Sequence, residues 1–134
     1  MMFFSRWLLA PAMMGLFFVA TVSSSAKSSS FEVTLAEAQR LCTSPDHLKY
    51  EQEKFWPAMG RPYCNAMVAC TQHAKLPASF DMVFVISRQG SIQRILYTPN
   101  APIAACVAAQ LRNHIVPSPP RDEWLISVHM DAHD

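Results

Sequence analysis

Glycine is scarce: the 134-residue chain has three, Gly15, Gly60 and Gly90, far apart from one another. A phosphate cradle needs several glycines in one loop so that backbone N–H groups can close on the anion, and that class of nucleotide site is excluded. A dominant charge is missing too. Eleven Lys/Arg stand against ten Asp/Glu with no block of like sign, which removes the electrostatic signature of nucleic-acid or acidic-surface binding. C-x-x-C, G-x-S-x-G and H-E-x-x-H are also absent, so dithiol redox, hydrolase-elbow and zincin chemistry have no footing. Asp122 and Glu123 are adjacent, and neighbouring strand or loop residues point to opposite sides instead of flanking one substrate; they read as a solvated turn. The expectation is a non-catalytic chain with no cofactor, no metal and no small-molecule substrate.

One long apolar run is present, Trp7 to Val22, preceded by Arg6 and followed by the small polar stretch Ser23 to Ser30. Sixteen residues is the length of a signal-peptide core and short for a membrane span. Ser24 and Ala26 satisfy the small-x-small rule ahead of Lys27, so residues 1–26 read as a signal peptide and the remainder as periplasmic, with no membrane insertion after cleavage. An uncleaved inner-membrane anchor facing the same compartment is the alternative. With Arg6 set aside, the remaining charges balance, and residues 27–134 are one domain's worth of chain.

Cys42, Cys64, Cys70 and Cys106 all lie in the exported part, where an even count reads as two disulfides. A zinc nest of Cys64, Cys70 and His73 fits poorly, because the gap between the cysteines exceeds the two to four residues of structural zinc sites. If residues 62–74 are helical, Cys64 and Cys70 are separated by a rise of about 9 Å and point about 240° apart, too far to pair with each other. One then meets Cys42 and the other Cys106: Cys42–Cys64 with Cys70–Cys106, or the swapped pairing, and spacing leaves both open.

Residues 27–31 read as a flexible leader, and Thr34 with Glu37 as a capping box opening a short helix over 35–42. Thr43, Ser44 and Pro45 stop it. A loosely held helix over 46–56 follows, then a break at Pro57, Gly60 and Pro62, then a helix over 62–74. From Phe80 the period changes to two. Phe80, Met82, Phe84 and Ile86 alternate with Asp81, Val83, Val85 and Ser87, which predicts a strand; Arg88 to Ser91 form a turn with Gly90 at positive φ; and residues 92–98 return as its hairpin partner. A helix over 101–115 carries Ile103, Cys106, Val107, Leu111, His114 and Ile115 on one face. A stiff Pro117–Pro119–Pro120 connector leads to a strand over 124–130, in which Trp124, Ile126, Val128 and Met130 alternate with Leu125, Ser127 and His129. The fold class is therefore α+β: an N-terminal helical segment, 27–79, followed by a β-β-α-β unit, 80–134, in which one helix covers a three-stranded antiparallel sheet, the whole forming one disulfide-stapled domain.

The hairpin from Phe80 to Gly90 and on from Ser91 to Tyr97, the helix after it, the proline-containing connector and the strand at Trp124 resemble the C-terminal domains of TonB proteins. Cys106 with the Val-Pro-x-Pro-Pro stretch at Val116–Pro120 is similar to TonB-like domains of gliding-motility proteins. The resemblance covers the C-terminal half. It implies a periplasmic module whose last strand offers its edge to an extended peptide of an envelope protein, by strand addition. The long Pro-rich spacer and the Tyr-Pro pair ahead of the sheet are missing, so the likeness extends to the binding surface and not to energy transduction.

The candidate partner-binding residues are accordingly Trp124, Leu125, Ser127 and His129 on the last strand, where the plain alternative is an ordinary strand whose outward residues meet water. Trp56 and Tyr63, in a cluster with Tyr50 and Phe55, are either a mini-core or a second recognition surface. His129 and His133 stand four apart in a terminal strand-like stretch and read as a polar tail. Small size, disulfides and charge neutrality suit a second function equally well, a periplasmic inhibitor or immunity-type protein that neutralises a toxin or hydrolase.

Overall fold

The computed structural model describes residues 26–72 and 74–133. Residues 1–25 of the expected signal peptide, with its apolar run, and His73 of the weighed zinc nest fall outside them. The order is α1 (Ala26–Leu41), α2 (Pro45–Tyr50), a π-helical segment (Glu51–Phe55), α3 (Trp56–Thr71), β1 (Ala78–Ile86), β2 (Ile92–Thr98), α4 (Pro102–Leu111) and β3 (Trp124–Ala132). The expected α+β architecture is present, helices first and a β-β-α-β unit after. The strands form one antiparallel sheet in the order β2-β1-β3.

Strand alternation decides the layering. Phe80, Met82, Phe84 and Ile86 point to one face of β1 and pack with α3, α4 and the apolar row of β3. Val83 points to the other, where Phe31 and Ala38 of α1 cover it beside Leu35, Leu96 and Leu125. Both faces are thus roofed, the second by α1. The first face carries most of the stability, since each large apolar side chain taken fully out of water contributes about 1.5–3 kcal/mol. Its core joins residues from both the 27–79 and the 80–134 segments.

Several local expectations are corrected. The supposed flexible stretch 27–31 is helical and Phe31 is buried, because a stripe of Phe31, Leu35 and Ala38 docks on the sheet. Thr34 is therefore interior to α1, its hydroxyl donating back to the Ser30 carbonyl at 2.8 Å, while Glu37 pairs with Arg40 and not with a cap. Ser44 both ends this helix and caps the next, its Oγ accepting from the His47 N–H at 3.3 Å.

No break occurs at Pro57, Gly60 or Pro62. Residues 45–71 run as consecutive helical segments, and the π segment explains how. The Trp56 N–H reaches the Glu51 carbonyl, five residues back, a wider turn that inserts one residue. That insertion keeps His47, Tyr50, Phe55, Met59, Tyr63, Ala66 and Cys70, all buried, on one stripe although Tyr50 and Phe55 are five apart. Pro57 is the second residue of α3, directly after the π segment. Pro62 lies inside α3 and forfeits about 3 kcal/mol, which burial of Phe55, Met59 and Tyr63 on either side outweighs.

α4 begins at Pro102 but ends at Leu111, short of Ile115. Beyond it the backbone turns to the hairpin: Ser91 and Ile115 form an isolated bridge and the Val116 N–H donates to the Gly90 carbonyl at 2.9 Å. Ile115 is left exposed and Val116 takes the buried place. Gly90 has the expected positive φ, +87°, and a Cβ there would stand 1.9 Å from the Val116 carbonyl oxygen. Gly90→Ala is expected to lower stability by about 2 kcal/mol or more, through both strain and collision, read as a fall in urea midpoint at constant m-value.

One disulfide forms, Cys70–Cys106, joining α3 to α4 across a Cα separation of 5.8 Å. The second expected bridge does not, in either pairing: Cys42 and Cys64 are free. Cys42 follows α1 on one side of the sheet, and the cysteines of α3 belong to the other, so the sheet stands between them. The Cys42 Sγ donates instead to the Gln39 carbonyl at 2.8 Å. Two thiols should therefore titrate in the unfolded, unreduced protein. Cys70→Ser with Cys106→Ser should cost about 3–4 kcal/mol, given the 36-residue separation, whereas Cys42→Ser with Cys64→Ser should leave the denaturant midpoint nearly unchanged.

Candidate binding surface

β3 pairs along its full length with β1, from Ala78↔Ala132 to Ile86↔Trp124, and among the described residues no strand lies on its outer side. The expected division of its side chains holds: Trp124, Ile126, Val128 and Met130 belong to the α3/α4 face, and Leu125, Ser127 and His129 oppose Val85, Val83 and Asp81 on the other.

The structure nevertheless separates the candidate residues. Trp124 is 4 % exposed and cannot serve as a free anchor. Its ring stacks on His47 at 5.0 Å, meets Tyr50 edge-on at 5.6 Å and carries the Arg121 guanidinium 5.2 Å above it. The Tyr50 hydroxyl donates to the Pro117 carbonyl at 2.6 Å, so the proline connector is pinned against the same cluster. Tyr63 is buried in the core and Trp56 is half-buried against it: they meet edge-on at 5.9 Å, and the Trp56 Nε1–H donates to Glu51 at 3.1 Å. Burial pushes the Tyr50 and Tyr63 hydroxyls up to about 12, Cys64 adding to the effect at Tyr63. The reason is the helical stripe through Phe55, Met59 and Tyr63, which carries these aromatics inward.

Leu125 and Ser127 are half-buried and His129 is exposed. Leu125 packs against α1 and helps line a cleft of about 430 Å³ between α1 and the sheet, whose rim carries Glu37, Arg40, Arg121 and Asp122. Those charges are largely engaged within the molecule: Arg40 grips Glu37 through two bonds of 2.7 and 2.9 Å, Arg121 lies over Trp124, and Asp122 accepts the Arg88 N–H at 2.8 Å. Asp122 is thus a cap for the hairpin as well as a turn residue.

His129 shares a face with Ser127, yet the pair is not a nucleophile and its base. Nδ1 lies 2.7 Å from Asp81 and Nε2 3.4 Å from Asp131, so both ring nitrogens face carboxylates, an arrangement that favours the protonated ring. The hydrogen bond to Asp81 raises the His129 pKa, with Asp131 assisting. The Ser79 hydroxyl, and after it His129, keep the Asp131 carboxyl below the usual range. Among the described residues no cluster of three His, Cys, Asp or Glu side chains is arranged to hold a metal.

Sequence reasoning missed His47, which is 1 % exposed with neither ring nitrogen hydrogen-bonded among the described residues. Burial lowers its pKa; Glu51, 3.9 Å away, opposes that and Arg121 reinforces it. The two histidines therefore act oppositely on stability. The native state resists protonation at His47 while the unfolded chain accepts it, so stability falls as pH drops below about 6.5, until the folded pKa is passed. The contribution of His129 is fully present below that ordinary value and is lost as pH rises through its raised folded pKa. Imidazole NMR titrations should place His47 below and His129 above the free-histidine midpoint. His47→Phe, which keeps the stack on Trp124, should flatten the loss of urea resistance between pH 7 and 5.

Comparison of the chain with family models, with curated proteins and with solved structures finds no match in any of the three.

Proposed function

We propose that this chain is an exported, non-catalytic protein- or peptide-binding module of the bacterial periplasm, similar in its mode of contact to TonB C-terminal domains, which takes an extended segment of an envelope protein as a fourth strand along β3. One observation carries the reading: β3 is nine residues long and pairs on one side only among the described residues. On such an edge alternate residues turn their N–H and C=O groups outward, and an extended peptide satisfies them while the flanking side chains select its sequence.

The accessible row consists of Ser127, His129 and Asp131, the last two exposed. Trp124 acts from beneath. Clamped between His47 and Arg121, it holds the start of the strand in place, so that the edge is rigid before a partner arrives and less ordering entropy opposes binding. The signal-like leader supports the periplasmic setting, and no helix among the described residues is long and apolar enough to cross a membrane.

Affinity capture from envelope extracts, with the full-length chain as bait, should yield one stoichiometric envelope protein. An extended peptide from that protein should shift the amides of residues 127–132, and His129→Ala with Asp131→Ala should weaken it several-fold without lowering the melting temperature. Shifts confined to another surface would remove strand addition at β3, and capture of a toxin or hydrolase whose activity is blocked would replace the reading by the inhibitor one.

A further inference from the structure

The opposite edge of the sheet belongs to β2, and a groove of about 370 Å³ runs along it, lined by six consecutive residues, Ile92 to Tyr97, and by Ala108 and Arg112 of the α4 side. Consecutive strand residues leave on alternate faces, so a pocket on one face of a sheet collects every second residue. Six in succession line one groove only when that groove follows the strand edge itself. β2 pairs with β1 alone among the described residues, which leaves its outer N–H and C=O groups facing the groove.

The walls say what fits. Ile95 and Tyr97 are half-buried against the α4 side and Leu96 is half-buried on the other. Ala108, with one methyl group, leaves room beside the edge. The charged lining residues are Arg94 and Arg112, both exposed and both positive, and among the described residues neither forms an ion pair. Arg94 also borders the cleft beneath α1, where Glu37 is already held by Arg40. The seven residues of β2 contain no Asp or Glu, so a second copy of this edge would bring cations to cations.

We propose that the β2–α4 groove binds an extended peptide bearing carboxylate side chains, which adds as a strand to β2. Its backbone satisfies the open edge. Its apolar side chains pack on Ile95, Tyr97 and Ala108, and its carboxylates meet Arg94 on one face and Arg112 on the other wall, as charge-assisted hydrogen bonds that set orientation. This surface is separate from β3 and stands or falls without it.

The test is an amide-shift titration of the full-length, isotope-labelled protein with a capped valine–glutamate peptide whose glutamates occupy both odd and even positions, so that each face of the added strand carries a carboxylate, beside the same peptide with lysine for glutamate. The glutamate peptide should shift residues 92–97, 108 and 112, and bind more weakly as salt rises. The lysine peptide, and the glutamate peptide on Arg94→Gln or Arg112→Gln, should each bind about tenfold more weakly or worse. Both side chains are exposed, so the variants should melt as the parent does, and the lysine peptide on the parent tests the charge rule without any substitution. Equal binding of the two peptides, or no binding of either, would overturn the proposal. Shifts on β3 alone would overturn it while leaving strand addition at β3 intact. Concentration-dependent broadening of β2 without peptide would overturn it in favour of self-association.

Discussion

The structure depends on β1 being buried on both faces. Among the described residues it is the only strand with a partner on each side, and every residue from Met82 to Ser87 is buried. Its alternation assigns the helices: the larger row, Phe80, Met82, Phe84 and Ile86, sits under α3 and α4, and Val83 sits under α1. A one-residue slip of this strand would exchange the two rows and set four large side chains against a helix that offers only Phe31, Leu35 and Ala38. The register is therefore fixed by volume as much as by hydrogen bonding, and the two flanking strands inherit it.

The same inequality of faces accounts for the cysteines. A bridge between α3 and α4 joins two helices that already share a face, and the disulfide adds a covalent constraint to a contact that packing has made. Cys42 follows a helix on the opposite face, and no choice of partner on α3 brings its sulfur around the sheet. Counting cysteines anticipated one bridge correctly and overestimated by one, because spacing along the chain does not reveal which side of a sheet a helix takes.

What was legible was periodic. The two-residue alternation of residues 80–86 and 124–130, the turn glycine and the α4 stripe all carry their structure in local order, and the β-β-α-β unit followed from them. What was illegible depended on contacts distant in sequence. Pro57 and Pro62 looked like breaks because their local effect is strong, and only the buried stripe from His47 to Cys70, kept in phase by a π turn, shows why the helix continues. Trp124 looked like a binding anchor because a tryptophan at a strand end suits that role. Its stack on His47 comes from a helix near the other end of the described chain, and nothing near either residue signals the pairing. The His129–Asp81 contact is intermediate: it is invisible in either strand alone and follows at once when the β1–β3 register is known.

With both faces of the sheet roofed, the unpartnered polar backbone of this sheet lies along its two edges, and recognition of an extended chain is the interaction such edges favour. Backbone pairing alone discriminates little, since every peptide offers the same groups, so selection rests on the few side chains that flank each edge. Beside β3 these are His129 and Asp131, linked to Asp81 in a small network; beside β2 they are Arg94 and Arg112, with no acid among the groove residues. Edges so differently charged repel different sequences as well as attracting different ones, and like-charge exclusion is the cheaper route to specificity on a surface with few contacts. A chain with almost no net charge thus separates its charges by location, and the sheet edges are where that separation bears on a partner.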